Sequence, residues 1–203
     1  MQNLTVKKLA KKLRKKDKIM FYEMNVAGLK RQLPLCKIND DLYIGAFIMF
    51  NDVELVTNCA RELAKKIPQD FDIMITAESK GIPLTHEFAR QTGRNNYIVA
   101  RKSQKLYMQD VISTEVDSIT TANIQKLYLG KTEVDMIKGK KVLIIDDVIS
   151  TGESLRSLET LVEKAGGTVV SRAAVLAEGE AADRDDIIFL EKLPLFNADG
   201  SVK

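Results

Sequence analysis

Short apolar runs alternate with amphipathic stretches along most of this chain, a rhythm that predicts strands separated by helices. The clearest run is Val142, Leu143, Ile144 and Ile145, four consecutive apolar residues that suit a strand buried on both faces of a parallel sheet. Residues 71–76 read the same way, and 97–101, 168–176 and 187–190 supply further strands. Val53, Val56, Ala60 and Leu63 recur at helical spacing, so a helix capped by Asn51 or Asp52 is expected to run to Lys66, with Pro68 ending it. Two more helices are predicted over 82–91 and 153–165, the second closed by Gly166 and Gly167. Nearer the amino terminus, 19–24 reads as a strand and 28–34 as an irregular connector. Residues 42–50 read as a hairpin or a strand pair broken at Gly45. Residues 107–139 hold two β-rich pieces, 111–121 and 124–129, which predict a hairpin before the strand at Lys141. Residues 197–203 read as a polar tail, and neither an internal repeat nor a long linker is visible.

Composition narrows the class. At 203 residues, 45% hydrophobic and 29% charged, the chain suits one soluble globular domain with a proper core. No stretch approaches the roughly 18 apolar residues of a membrane span, and no signal peptide is evident. Cys36 and Cys59 have no metal-ligand spacing and the single His86 adds no cluster, so a reduced, cytoplasmic setting and a structural His86 are expected. Charge changes the picture at one end only. Residues 1–18 carry eight Lys/Arg against Asp17, a charge of +7 within a net +3, which leaves −4 for the remainder. Val6, Leu9, Ala10 and Leu13 fall at helical spacing there, so a short amphipathic helix docked by its apolar side is expected. Contact with nucleic acid or membrane is the lesser reading, since a charge run alone is weak evidence and 18 residues are too few for a separate DNA-binding domain.

The chemistry concentrates after the apolar run. Asp146 and Asp147 are expected to stop that strand, and Val148 and Ile149 lead into Ser150, Thr151, Gly152, Glu153 and Ser154, which open the next helix. Strand, small-residue turn and helix N-terminus make an anion cradle, with free backbone N–H groups and the positive dipole end facing outward. Carboxylates beside a bound dianion would repel it unless they face another part of the ligand, and two vicinal hydroxyls on a phosphorylated sugar are the obvious partner. A Walker phosphate loop is excluded, because the chain has no Gly-x4-Gly-Lys-Ser/Thr.

This segment resembles the phosphoribosyl-pyrophosphate (PRPP) signature of the type I phosphoribosyltransferases: an apolar strand, Asp/Glu-Asp, two apolar residues, a small residue, then Thr-Gly. Two other segments support the resemblance. Glu78, Ser79, Lys80 and Gly81 are similar to the pyrophosphate loop of the adenine enzymes, usually Glu-Ser-Arg-Gly. Lys80 keeps the charge of that Arg but not its bidentate fork. Such a loop turns amides around a diphosphate, so a cis or otherwise unusual peptide is expected near 78–80. Arg101, Lys102, Lys105 and Leu106 resemble the Arg-Lys-x-x-Lys-Leu segment that opens the mobile active-site loop.

The resemblance spans about 29–195 and implies the type I fold: α/β, a central mostly parallel sheet flanked by helices, a β-hairpin flap and a small N-terminal hood. It divides the chain into a basic helix and hood (1–50), a PRPP-binding core (51–195, flap at about 103–139) and a tail (196–203). The implied reaction moves ribose 5-phosphate from PRPP to a purine nitrogen and releases pyrophosphate. In that reading 150–154 hold the 5-phosphate and Asp146 and Asp147 the ribose hydroxyls. Lys80, Arg101, Lys102 and Lys105 take the pyrophosphate, with Lys105 and the two aspartates in catalytic roles. Glu178, after the strand at 168–176, would line the base or Mg side of the pocket. Mg2+ would be held mainly by PRPP and water rather than by protein ligands, and a homodimer would let the basic loop reach the neighbouring site. Adenine is the favoured base. Ser150 stands where hypoxanthine-guanine enzymes carry Asp, but the flap segment Thr120, Thr121, Ala122, Asn123 lacks the Glu of the adenine enzymes, and Ser118, Ile119, Thr120 is closer to the flap of xanthine enzymes and the purine repressor. A xanthine or other 6-oxopurine enzyme, a non-catalytic PRPP sensor and an orotate-type enzyme stay open as alternatives.

Overall fold

The structure is a computed structural model and describes residues 19–116 and 125–203; the expected basic helix at 1–18 and the flap residues 117–124 lie outside them. Its centre is a five-stranded sheet of order β10-β9-β8-β4-β5: β4 (Ile73–Ala77), β5 (Ile98–Ala100), β8 (Lys141–Ile149), β9 (Thr168–Glu178) and β10 (Ile188–Leu193). Every pairing in it is parallel. Helices α1 (Val53–Lys66), α2 (Gly81–Gln91) and α4 (Glu153–Lys164) link and cover these strands, as the alternating rhythm requires.

The pleat sorts side chains to two cores. Met74, Leu143 and Ile145 pack on one face with Leu55, Leu63, Leu84 and Phe88 of α1 and α2. Ile73, Ile75, Val142 and Ile144 pack on the other with Leu155, Leu158 and Leu161 of α4. Both faces are thus dry, and the strands read as continuous apolar runs.

A second sheet forms the hood, in the order β1 (Phe21–Val26), β2 (Leu29–Asn39), β3 (Leu42–Gly45) and β11 (Leu195–Phe196). The expected connector at 28–34 is in fact the first half of β2. Ala27 and Gly28 take positive φ values of 51° and 80°, making a tight turn, and β2 then pairs antiparallel with β1 from Leu29 to Pro34. The last hood strand comes from the opposite end of the chain. Leu195 and Phe196 pair with Ile44 and Tyr43, and the Phe196 ring lies 4.9 Å from that of Tyr22. The polar tail bends back so that Val202 bridges Phe196.

Three further expectations shift. Asp146 and Asp147 do not stop their strand: β8 continues to Ile149, paired with Ala177 of β9. Helix α3 (Lys131–Ile137) interrupts the β-rich stretch after the hairpin β6 (Ile112–Val116)–β7 (Gln125–Leu129). Its seven residues, about two turns, bury Ile137, too short a stretch for its period to stand out in the sequence. On α1 the buried face is Leu55, Val56, Cys59, Ala60 and Leu63, whereas Val53 in the first turn is 78% exposed.

Asp52 joins hood to core. Its Oδ1 accepts from Leu55 N at 3.0 Å and caps α1, while Arg31 of β2 reaches both oxygens, at 2.6 and 3.1 Å. The Arg31 guanidinium holds the Asp52 carboxyl below the usual carboxylate range. With the folded value depressed, its stabilisation is complete above the unfolded value and is lost as pH falls through the folded one. Asp52→Ala is expected to cost about 1–2 kcal/mol, a fall of about 2–4 °C in melting temperature per kcal/mol. The same substitution should make the melting temperature less sensitive to acid; equal acid sensitivity in both proteins would refute this role.

Candidate active site

The strand order reverses between β4 and β8: the chain leaves β4 outward to β5 and leaves β8 outward to β9 and β10 on the other side. Ligands of open α/β sheets bind at such a switch point, beyond the carboxyl ends of the strands. A cleft of about 360 Å³ opens there. Its polar lining is Ser79, Lys80, Lys102, Asp146, Asp147, Ser150, Ser154 and Glu178. Its apolar lining includes Ile44, Ala46 and Phe47 beside the hood, Leu127 of the hairpin and Leu193.

The loop after β4 wraps the end of β8 and gives each aspartate a partner. Ser79 Oγ donates to Asp146 Oδ1 at 3.3 Å, and Lys80 Nζ lies 2.8 Å from Asp147 Oδ2 while donating to the carbonyl of Phe47 at 2.7 Å. Position 81 must be glycine for this approach, because a methyl group there would lie 2.7 Å from both Asp146 Oδ1 and Thr76 Oγ1. The loop achieves this with trans peptides throughout, and none of residues 78–80 has positive φ, so the expected cis or unusual bond is absent. Lys80 already has helical angles (φ −66°, ψ −14°), so α2 starts directly behind the loop.

Asp146 is half-buried and Asp147 only 5% exposed. Burial first, and the Asp147 carboxylate second, push the Asp146 carboxyl well above the ordinary carboxylate range. Burial likewise raises Glu178, against a hydrogen bond with Ser150 and the charge of Lys80. After β8, Gly152 takes φ +80° at the N-cap of α4, the left-handed conformation that turns the chain from strand to helix with its amides free.

A model of the phosphoribosyl transferase domain matches residues 50–199. The chain belongs to this phosphoribosyltransferase family. Relatives in it include a hypoxanthine/guanine phosphoribosyltransferase of Methanococcus voltae, 31% identical over 131 residues, which are 64% of this chain and 66% of that protein. An adenine phosphoribosyltransferase of Bifidobacterium longum is 30% identical over 125 residues, 61% of each chain. The match therefore spans slightly less than two thirds of either relative. The crystal structure of the adenine phosphoribosyltransferase from Thermoanaerobacter pseudethanolicus superposes with a TM-score of 0.61 at 23% identity, covering 85% of this chain and 95% of that one, which shows the shared fold.

Against this phosphoribosyltransferase frame, the anticipated site residues divide. Asp146, Asp147, Ser79, Lys80, Lys102, Val148, Ser150, Ser154 and Glu178 share the cleft. Thr151 lines an adjoining cleft of about 390 Å³ with Ser150, Arg156, Glu178 and Arg184. Ile149, Gly152 and Glu153 shape the turn, and Gly81 is the contact point described above, rather than lining the main cleft. Glu78 does not line it. Its Oε1 takes Arg101 Nη1 at 3.2 Å and lies 3.7 Å from Lys105 Nζ, and its Oε2 accepts from Lys102 N at 2.9 Å. The backbone bond from Lys102 is the main reason the Glu78 carboxyl sits below its usual range, with Lys105 and Arg101 adding to it. Arg101 and Lys105 are thus held by Glu78, and Arg101 also donates to the Tyr107 hydroxyl at 2.8 Å. Phe47, Leu127, Leu193 and Arg184 had no local signal in the sequence; they reach the site only through folding. The exposed His86 sits outside both clefts, edge-on to the Tyr97 ring at 6.0 Å.

Because the folded chain binds the Asp146 proton more tightly than the unfolded chain, stability should fall as pH rises from about 4 through the raised folded value. Asp146→Asn is expected to flatten that decline and to melt at or above the wild-type temperature at neutral pH. Parallel melting profiles for the two proteins across this range would contradict it.

Proposed function

We propose that this protein is a purine phosphoribosyltransferase that transfers ribose 5-phosphate from PRPP to a purine nitrogen and releases pyrophosphate, with adenine the favoured base. The observation that carries the reading is the switch-point cleft. It joins an acid pair to an anion cradle on one side, Ser150 to Ser154, and to the Ser79–Lys80 loop on the other. PRPP has the matching order of groups: a 5-phosphate, vicinal hydroxyls and a diphosphate.

Breaking the C1–O bond leaves positive charge on the ribose and negative charge on the departing diphosphate, so the protein's work is positioning and charge stabilisation. The free amides at the α4 N-terminus and the Ser hydroxyls hold the 5-phosphate. Asp146 and Asp147 accept the ribose hydroxyls and stand beside the cationic sugar. Lys80 and Lys102 face the diphosphate. Arg101 and Lys105 join them by giving up Glu78, an exchange of one carboxylate for a leaving group of several negative charges. Ile44, Ala46, Phe47, Leu127 and Leu193 give the cleft an apolar end suited to a planar base.

Among the described residues no three His, Cys, Asp or Glu side chains cluster as a metal cage. The Asp146–Asp147 pair nevertheless offers hard oxygen donors in the cleft, and the buried Asp147 Oδ2 has only the Lys80 ammonium beside it. This would suit Mg2+ held mainly by PRPP and water beside these carboxylates, where the ion would supply charge neutralisation of the diphosphate. Leu106, fully exposed, and Tyr107 beside it support a homodimer in which the basic loop packs on a second copy. No described helix is long and apolar enough to cross a membrane. The Methanococcus relative favours a 6-oxopurine enzyme as the second reading.

The test is product formation from PRPP and Mg2+ with adenine, hypoxanthine, guanine, xanthine and orotate in turn. Adenosine monophosphate and pyrophosphate are expected with adenine. Turnover only with a 6-oxopurine would move the assignment to the second reading, and calorimetric PRPP binding without turnover would make the protein a sensor. Asp146→Asn together with Asp147→Asn should abolish PRPP binding while the protein still melts cooperatively; retained affinity would overturn the role of the acid pair.

A further inference from the structure

The phosphate turn carries an electrostatic deficit. Residues 146–154 contain three carboxylates, Asp146, Asp147 and Glu153, and no cation, yet they are to receive a dianion. Amides and hydroxyls of the turn, which has no cation of its own, would hold that charge amid like charges. Arg184, thirty residues further on and far from any recognisable motif, lies over this turn. A methyl group at position 152 would be 2.8 Å from Arg184 Nη1, so the guanidinium covers the left-handed Gly152 directly. Arg184 also borders the adjoining cleft, together with Ser150, Thr151, Arg156 and Glu180.

The guanidinium is oriented as well as near. Arg184 Nε and Nη2 donate to the two oxygens of Asp186, at 2.8 and 2.6 Å, a fork that leaves Nη1 on the side of the turn. Nη1 takes no hydrogen-bond partner among the described residues. Asp186 lies 3.9 Å from Arg172 of β9, and Arg172 pairs with Glu159 of α4. The network thus ties Arg184 to the helix whose first turn forms the cradle, so cation and amides are set in one frame.

We propose that Arg184 contacts the 5-phosphate of the substrate through Nη1, supplying the positive charge that the signature turn lacks; this rests on the PRPP reading above. Asp186 acts as the positioning residue that aims it. Gly152 then has two roles, the left-handed turn and the clearance for the guanidinium.

The experiment is calorimetric titration of wild type, Arg184→Met and Arg184→Gln with PRPP and with ribose 5-phosphate, at several pH values across the second phosphate ionisation near about 6. Arg184→Met is expected to weaken ribose 5-phosphate by about tenfold to a hundredfold, the loss of a hydrogen bond between charged groups. It should also flatten the gain in affinity that the wild type shows as the phosphate becomes a dianion. A purely structural role would lower the melting temperature without altering that pH profile. Arg184→Gln keeps a donor for Asp186 without the charge, and decides the matter if the Met variant melts early. Wild-type affinity with an unchanged pH profile in the Gln variant would overturn the assignment of Arg184 while leaving the PRPP reading intact. Failure of the wild type to bind either ligand would overturn both.

Discussion

Two carboxylates follow one another in the second half of the central strand, and the arrangement around them follows from making that tolerable. Adjacent acids in a half-dry cleft repel, and here the cost is met by one residue of the preceding loop for each acid: Ser79 for Asp146 and Lys80 for Asp147. Both must come from a loop that passes within contact of the strand, which is why Gly81 has no room for a side chain. The proton affinity of Asp146 stays raised even so. A site held under such tension suits the proposed sugar phosphate, whose hydroxyls would donate to the same oxygens.

The same principle of borrowed partners extends outward. Glu78 holds Arg101 and the amide of Lys102, so the basic segment is ordered by a carboxylate. Lys80 binds the carbonyl of Phe47 as well as Asp147, linking hood to core across the cleft. Arg31 and Asp52 make a second link at the base of α1. The strand Leu195–Phe196 makes a third by completing the hood sheet from the far end of the chain. The hood is therefore not an appendage of the first fifty residues. Both ends of the chain build it, and its apolar residues roof the site.

Periodicity and local chemistry are properties of neighbours in sequence, and what depends on neighbours was legible. The buried strand at 142–145 follows from a run of four apolar residues, the helix behind Asp52 from helical spacing and the turn at 150–154 from small residues between strand and helix. The α/β class follows as well, because strand and helix periods alternate. The basic segment at 101–105, by contrast, stood out only by its resemblance to the family. Val53 marks a limit within that reach: it has the spacing of the buried face but sits in the first turn of the helix and is left in solvent. The 28–34 segment marks another, since Arg, Lys and Gln are unremarkable in a strand exposed on one face but give no strong β signal alone.

Partners far apart in the chain were decided only by the tertiary structure. Sequence supplied the acids, the hydroxyls and the cations. Only the parallel order β10-β9-β8-β4-β5 brings the loop at 78–81 against the end of β8, because it places the two strands side by side at the switch point. Only the folded hood sets Phe47 over the cleft, and only the turn after β9 lays Arg184 across Gly152. Local periodicity is written within one helical turn or strand, whereas a site assembled from 47, 80, 147, 152 and 184 exists only after the chain has paid the entropy of closing the loops between them.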